Sequence, residues 1–362
     1  MPVAAGVWTV TASTWSSVTT LVVADDGGCL VVDPNVTPVE LVDLADEVAE
    51  HGAPTNLSLA HEHRRAWPGR PAPPGVAGPR RLPPWDPVRT ERTEVVAMGT
   101  PGAPGTLVLV RHGESTANAA ATFTGSRDVG LSAHGIEQSH RAAELMVQAG
   151  IVPDLVVTSR MLRAQRTAET MLPVLAAATA GRVVEDLPIR RTWRLNERDY
   201  GLLMGMAKTE VRELYGYDQF YSWRRTRHGR PPPVPEGEDT ALNLVGVDDD
   251  PTDPQTAAMP GRGESLDDVV ERVRPLWSRT LAPELVEGHC VLVIGHGNSL
   301  RALCAAIDTL DDEELEGLNL PTAQPIVYRV DHAGRATPRG GEYLDPDNAW
   351  LEAIRISLEG GT

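Results

Sequence analysis

Residues 107–115 read LVLVRHGES and residues 291–299 read VLVIGHGNS. Each is a short branched apolar run that ends on a histidine beside glycine. Four apolar residues without alternation suit a strand buried on both faces, as in a parallel sheet. LVVTS at 155–159 is a third run of this kind. Between the runs lie stretches with helical spacing. AHGIEQSHRAAELMVQAG follows Ser132 as its N-cap and ends at Gly150, MLRAQRTAETMLPVL follows Ser159, and SLDDVVERVRPLWSRTL begins at Ser265. Strands alternating with amphipathic helices predict an α/β fold, a doubly wound and mostly parallel sheet with helices on both faces.

In such sheets ligands bind beyond the carboxyl ends of the strands. Arg111 and His112 lie just past one strand and His296 just past another, so the two histidines can face each other across a crevice. Ser299 is expected to open the helix SLRALCAAI, whose N-terminal amides favour an anion. The chemistry this suggests is phosphoryl transfer through a phosphohistidine. It needs a neutral imidazole with one nitrogen free and the other N–H held. It also needs fixed cations around the transferring oxygens. Arg111 and Arg163 are the candidates, with His296 as a third donor.

A formal net charge of −17 argues against non-specific nucleic-acid binding, which requires a basic footprint, but leaves a small anionic substrate open. Lys208 is the single lysine in an arginine-rich chain, which marks a position where a compact point charge is wanted. Cys29, Cys290 and Cys304 form no CxxC pair and suggest reduced thiols. The N-terminus carries no basic region followed by a long apolar run, and no apolar stretch reaches the ~20 residues that span a bilayer. A cytoplasmic protein without membrane contacts is expected.

Before residue 106 the text changes character. VWTVTAS (7–13) and TLVVADDGGCLVVD (20–33) read as strands, the second broken by a turn at Asp26–Gly28, and residues 38–52 read as a helix. Residues 64–105 are so rich in proline and glycine that regular structure is not expected. The expected division is 1–63 as a small αβ segment, 64–105 as a linker and 106–362 as the main domain. The opening resembles a truncated metallo-β-lactamase fold. His61 and His63 keep an HxH spacing, but no DH follows, and two histidines do not close a zinc site. No metal is expected.

Eight further segments agree with the phosphohistidine reading. They are RHGESTAN (111–118), FTGSRDVGLSAHG (123–135), TSRMLRAQRTAET (158–170), WRLNERDYGLLMGMAKTE (193–210), WRR (223–225) followed by three prolines (231–233), ESL (264–266), HGNSLRAL (296–303) and GLNLPTAQPIVY (317–328). In this order and at these separations they resemble the cofactor-dependent phosphoglycerate mutases of the histidine phosphatase superfamily, from about Leu107 to Val330.

The resemblance implies interconversion of 3-phosphoglycerate and 2-phosphoglycerate, primed by 2,3-bisphosphoglycerate and using no metal. It implies that His112 is the phosphorylated nucleophile and that Arg111, Arg163 and His296 grip the phosphoryl group. Glu197 becomes the general acid and base. Ser115, Asn118, Thr124, Gly125, Gly297 and Asn298 line the phosphate site, while Tyr200, Lys208, Arg224 and Arg225 hold the rest of the phosphoglycerate.

The chain departs from the pattern at Leu162, where lysine is usual, at Arg127, commonly aromatic, and at MGMAK (204–208). The tail from Gly340 lacks a basic, flexible character. Two other readings follow from the same residues: a histidine phosphatase that hydrolyses phosphate monoesters, and a non-catalytic binding protein on the same fold. Self-association into a homo-oligomer stays open.

Overall fold

The computed structural model describes residues 104–178, 187–235 and 262–358, together with five N-terminal strands. The chain divides into two compact units, Met1–Thr90 and Glu91–Thr362.

In the first unit Pro2–Ala4 (β1), Val7–Thr11 (β2), Val18–Val23 (β3), Gly28–Val32 (β4) and Asn56–Leu59 (β5) form one sheet in sequence order. The first four strands are antiparallel neighbours, and β4 pairs with β5 in parallel. VWTVTAS supplies β2, and the second apolar run divides into β3 and β4. The expected helix at 38–52, the HxH pair at His61 and His63, and the proline-rich stretch to residue 103 lie outside the described residues.

The second unit is built on six strands: Gly105–Arg111 (β6), Leu155–Ser159 (β7), Ile189–Thr192 (β8), Cys290–Gly295 (β9), Ile326–Val330 (β10) and Ala336–Tyr343 (β11). Their order is β11-β10-β6-β9-β7-β8. The four strands from β6 to β8 are parallel, and β10 and β11 join one side antiparallel. The helices are Thr116–Ala119 (α1), Ala133–Gln148 (α2), Leu162–Ala178 (α3), Lys208–Tyr215 (α4), Tyr217–Arg225 (α5), Leu266–Leu276 (α6), Ala282–Val286 (α7), Gly297–Asp308 (α8), Asp312–Gly317 (α9) and Pro346–Leu358 (α10).

Alternation along the central strands produces two cores. Leu107, Leu109, Val291 and Val293 face α6 and α8, where they meet Val269, Val273, Leu300 and Leu303. Val108, Val110, Leu292 and Ile294 face α2 and α3, where they meet Ala143, Met146, Ala168 and Met171. Both faces of β6 and β9 are therefore dry, which explains their uninterrupted apolar text. A third cluster, with Phe123, Tyr200, Val211, Phe220 and Trp223, sets α4 and α5 beside the main sheet.

Helix starts follow side-chain capping. The Ser132 hydroxyl accepts from the Gly135 N–H at 3.0 Å, and Ser265 forms a capping box with Asp268. One start differs from expectation. α8 begins at Gly297, not at Ser299, with His296 as its N-cap residue. The His296 N–H donates to Ser299 Oγ at 3.0 Å, so the serine caps from inside the first turn. The tail forms β11 and α10, with Trp350 and Leu351 exposed.

Candidate active site

The register of β6 against β9 sets Arg111 opposite Gly295, so the residues that follow leave the sheet side by side. The His112 N–H donates to the Gly295 carbonyl at 3.0 Å. The His112 and His296 rings lie 4.8 Å apart at an interplanar angle of 58°, and both are buried. His112 Nδ1 donates to the Gly113 carbonyl at 2.7 Å, which leaves Nε2 as the unprotonated nitrogen. Arg163, in the first turn of α3, inserts its Nε between the rings, 3.3 Å from His112 Nε2 and 3.2 Å from His296 Nδ1. A guanidinium only donates, so both ring nitrogens are acceptors. His296 then carries its proton on Nε2 and donates it to Ser159 Oγ at 2.7 Å.

Burial pushes the His112 pKa well below its ordinary value, and the charges of Arg163 and Arg111 push it further down. His296 is lowered in the same way, first by burial and then by Arg163. Desolvation thus outranks the guanidiniums in keeping the His112 imidazole neutral. Burial also draws Arg163 down to about 10, while Glu197 and Asp128 oppose the shift, so it remains a cation at neutral pH. Arg163 is held from behind, with Nη1 donating to the Arg127 carbonyl at 2.9 Å and Nη2 to the Gly125 carbonyl at 3.1 Å. Arg111 Nη1 donates to the Leu320 carbonyl at 2.8 Å.

Glu197 approaches from the loop after β8. Its Oε1 accepts from the Asn298 N–H at 3.2 Å, in the first turn of α8, and from the Arg198 N–H at 2.8 Å. A half-buried carboxylate therefore stands at the start of the helix that follows His296.

The sequence profile of the histidine phosphatase superfamily (branch 1) matches residues 107–243 and 247–339, more than half of the chain. The chain belongs to the histidine phosphatase superfamily. Its curated relatives include 2,3-bisphosphoglycerate-dependent phosphoglycerate mutases. That of Thermobifida fusca (strain YX) is 44% identical over 256 residues, covering 69% of this chain and 98% of the relative. That of Clavibacter sepedonicus is 42% identical over 257 residues, covering 71% and 98%. That of Mycobacterium tuberculosis (strain ATCC 25177 / H37Ra) is 41% identical over 258 residues, covering 71% and 98%. Within the superfamily the chain falls in the family of these relatives. Similar solved structures include Bacillus stearothermophilus YhfR (TM-score 0.48, 23% identity, 66% of this chain and 98% of that chain). The α-ribazole phosphatase from Shigella flexneri is another (TM-score 0.47, 21% identity, 65% and 94%).

The other expected site residues of this superfamily member have the following surroundings. Tyr200 is buried beside the site, and its hydroxyl accepts from Asn298 Nδ2 at 3.1 Å. Gly297 and Asn298 form the first turn of α8. Ser115 and Asn118 bond to each other in the capping box of α1, with Ser115 Oγ donating to Asn118 Oδ1 at 2.8 Å. The loop of Phe123, Thr124 and Gly125 is tied to the segment before Lys208. Phe123 N–H donates to the Met206 carbonyl at 2.9 Å and Lys208 N–H to the Ala121 carbonyl at 3.0 Å. Lys208, half-buried, thus opens α4 next to the loop that holds Arg163. Arg224 lies over the Phe123 and Phe220 rings, at 5.9 and 5.1 Å. Arg225 Nη2 donates to the carbonyls of Glu316 and of Leu318, the latter at 3.0 Å.

Several supporting residues had no assigned role in the sequence reading. Ser159 orients His296, and Arg301 Nη1 donates to Asn298 Oδ1 at 3.2 Å, which turns the Asn298 amide toward Tyr200. Arg198, Asp199, Glu264 and Arg272 surround the Glu197 backbone. The ESL segment contained the signal for Glu264, but its partners Asp199 and Arg198 lie 65 and 66 residues away, beyond any local pattern.

Proposed function

We propose that this enzyme interconverts 3-phosphoglycerate and 2-phosphoglycerate through a phosphohistidine at His112, with 2,3-bisphosphoglycerate as the priming phosphoryl donor. The observation that carries this reading is identity of 41–44% to curated mutases over 98% of their length, joined to a nucleophile geometry that the chemistry requires. His112 Nε2 is unprotonated, its lone pair met by the Arg163 Nε–H that His296 shares, and its opposite nitrogen is held by a carbonyl. In the transfer, the N–P bond forms as the donor P–O bond breaks. The leaving alkoxide takes a proton from Glu197. In the reverse half, the Glu197 carboxylate takes the proton of the incoming hydroxyl while its oxygen attacks phosphorus and the N–P bond breaks.

In this reading Arg111 and Arg163 are the cations for the phosphoryl oxygens, the first turn of α8 adds backbone donors, and His296 joins as a third donor when its proton stands on Nδ1. These fixed cations and donors suit a phosphate dianion, so the reaction is expected to run with no metal. Lys208, Tyr200 and Arg224 are suited to the remaining carboxylate and phosphate of phosphoglycerate. Among the described residues no helix is long and apolar enough to cross a membrane, in keeping with a cytoplasmic site of action. Self-association is open, since β8 and β11 leave exposed edges.

One observation favours a second reading, hydrolysis of phosphate monoesters. Arg225 donates from Nη2 to two carbonyls at the end of α9, which ties one cation expected to hold the carboxylate to the protein's own backbone. Assay of the purified protein with 3-phosphoglycerate, with and without 2,3-bisphosphoglycerate, separates the two. Primer-dependent isomerisation unaffected by chelators is expected. Brisk hydrolysis of aryl phosphates with no isomerisation would establish the phosphatase instead.

A further inference from the structure

We propose that Glu264 and Arg272 are positioning residues for Glu197, acting as a buried clamp that sets the proton donor against the start of α8. The inference rests on the reading of Glu197 as acid and base. Arg272, on α6, donates from Nε to Glu264 Oε1 at 2.8 Å and from Nη2 to Oε2 at 3.1 Å, a forked pair. Its side chain is 7% exposed and that of Glu264 20%. The remaining guanidinium donors all go to one strip of backbone. Nη1 reaches the carbonyl of Arg194, and Nη2 reaches Asn196 at 2.9 Å and Glu197 at 3.4 Å.

Glu264 holds the other side of the same strip. Its Oε2 accepts from the Asp199 N–H at 2.9 Å, its own N–H donates to the Asp199 carbonyl at 2.7 Å, and its carbonyl accepts from Arg198 Nε at 2.6 Å. Asp199 extends the clamp toward the phosphate loop, since its Oδ2 accepts from Ser126 Oγ at 2.8 Å. Residues 194–199 are thus fixed on both sides of Glu197, whose carboxylate then meets the Asn298 N–H.

Stability alone is a poor reason for this arrangement. A buried ion pair gains little over apolar residues of the same volume, because desolvation offsets the attraction. What the pair supplies is a rigid address for six consecutive residues. An acid misplaced by about 1 Å loses much of its effect, of order 10²-fold.

The test is a split between two donors in the full-length protein. An aryl oxide leaves without a proton, whereas the alkoxide of a donor such as 2,3-bisphosphoglycerate or glycerol phosphate needs one. Arg272→Lys, which cannot span the five acceptors, should lower alkyl-donor turnover by about 10²-fold while aryl-donor phosphorylation of His112 changes little. In a Glu197→Gln background the same substitution should add almost no further loss. Should Arg272→Lys fail to fold, Glu264→Gln keeps the shape and carries the same comparison. Equal losses on both donors in a folded variant, no loss on either, or a full additive loss in the Glu197→Gln background would overturn the proposal. Failure of the acid reading would look different: Glu197→Gln alone would then slow both donors equally.

Discussion

Arg163 touches both histidines through one nitrogen, and its two other nitrogens are spent on loop carbonyls. Its charge is thereby fixed beside both rings, and in the proposed reaction it serves the transferring phosphoryl oxygens. Arg163→Gln should slow phosphorylation of His112 by about 10²–10³-fold, the usual effect of losing one aimed donor. Because burial outranks the Arg163 charge in depressing His112, most of that depression should survive the substitution. NMR titration of the ring checks this, and a His112 that titrates near 6.5 in the unmodified protein would refute it.

A pH dependence of stability follows from the same shift. His112 and His296 have folded pKa values below the unfolded 6.5, so the unfolded chain binds more protons as pH falls. Their neutral burial is fully tolerated above 6.5, and stability declines from there down through the folded values. Denaturant midpoints should therefore fall below pH 6.5, and His112→Asn with His296→Asn should flatten that decline. At this scale the sequence showed the two histidines, Arg111 and Arg163, because they lie in short motifs at strand ends. It hid Ser159, Arg272 and Arg301, whose roles come from partners 78 to 137 residues away or from burial. It also hid the bonds of Arg225 to the carbonyls of Glu316 and Leu318.

The strand ends that carry the histidines are held at one level by the β6–β9 register and by close backbone contact with α2. A Cβ on Gly135 would lie 2.0 Å from the Glu114 carbonyl, and one on Gly113 would lie 2.1 Å from the Gly135 carbonyl. Both neighbours are backbone, so neither can turn aside. Gly135→Ala should destabilise the domain by at least about 1–3 kcal/mol and also slow turnover, because the clash sits two residues from His112. Chemical denaturation and steady-state rates measure the two effects. The elements themselves were legible wherever one periodicity ruled. LVLV, LVVTS and VLVI became β6, β7 and β9, and Ser132 and Ser265 cap α2 and α6 as expected. Strand order was not legible, since the antiparallel addition of β10 and β11 depends on contacts across the sheet.

Every side chain placed at the site lies in the unit Glu91–Thr362, which carries its own two-faced core. A chain beginning at Glu91 should fold and keep its activity, and full-length protein should bind no stoichiometric zinc. Zinc bound one per chain through His61 and His63 would show that the first unit has a metal function of its own. The central claim, a phosphohistidine at His112, is tested most directly by incubating the protein with radiolabelled 2,3-bisphosphoglycerate. The expected product is a single acid-labile, base-stable label on His112 that His112→Ala abolishes. An acid-stable label, or one carried by a serine or aspartate, would contradict the account.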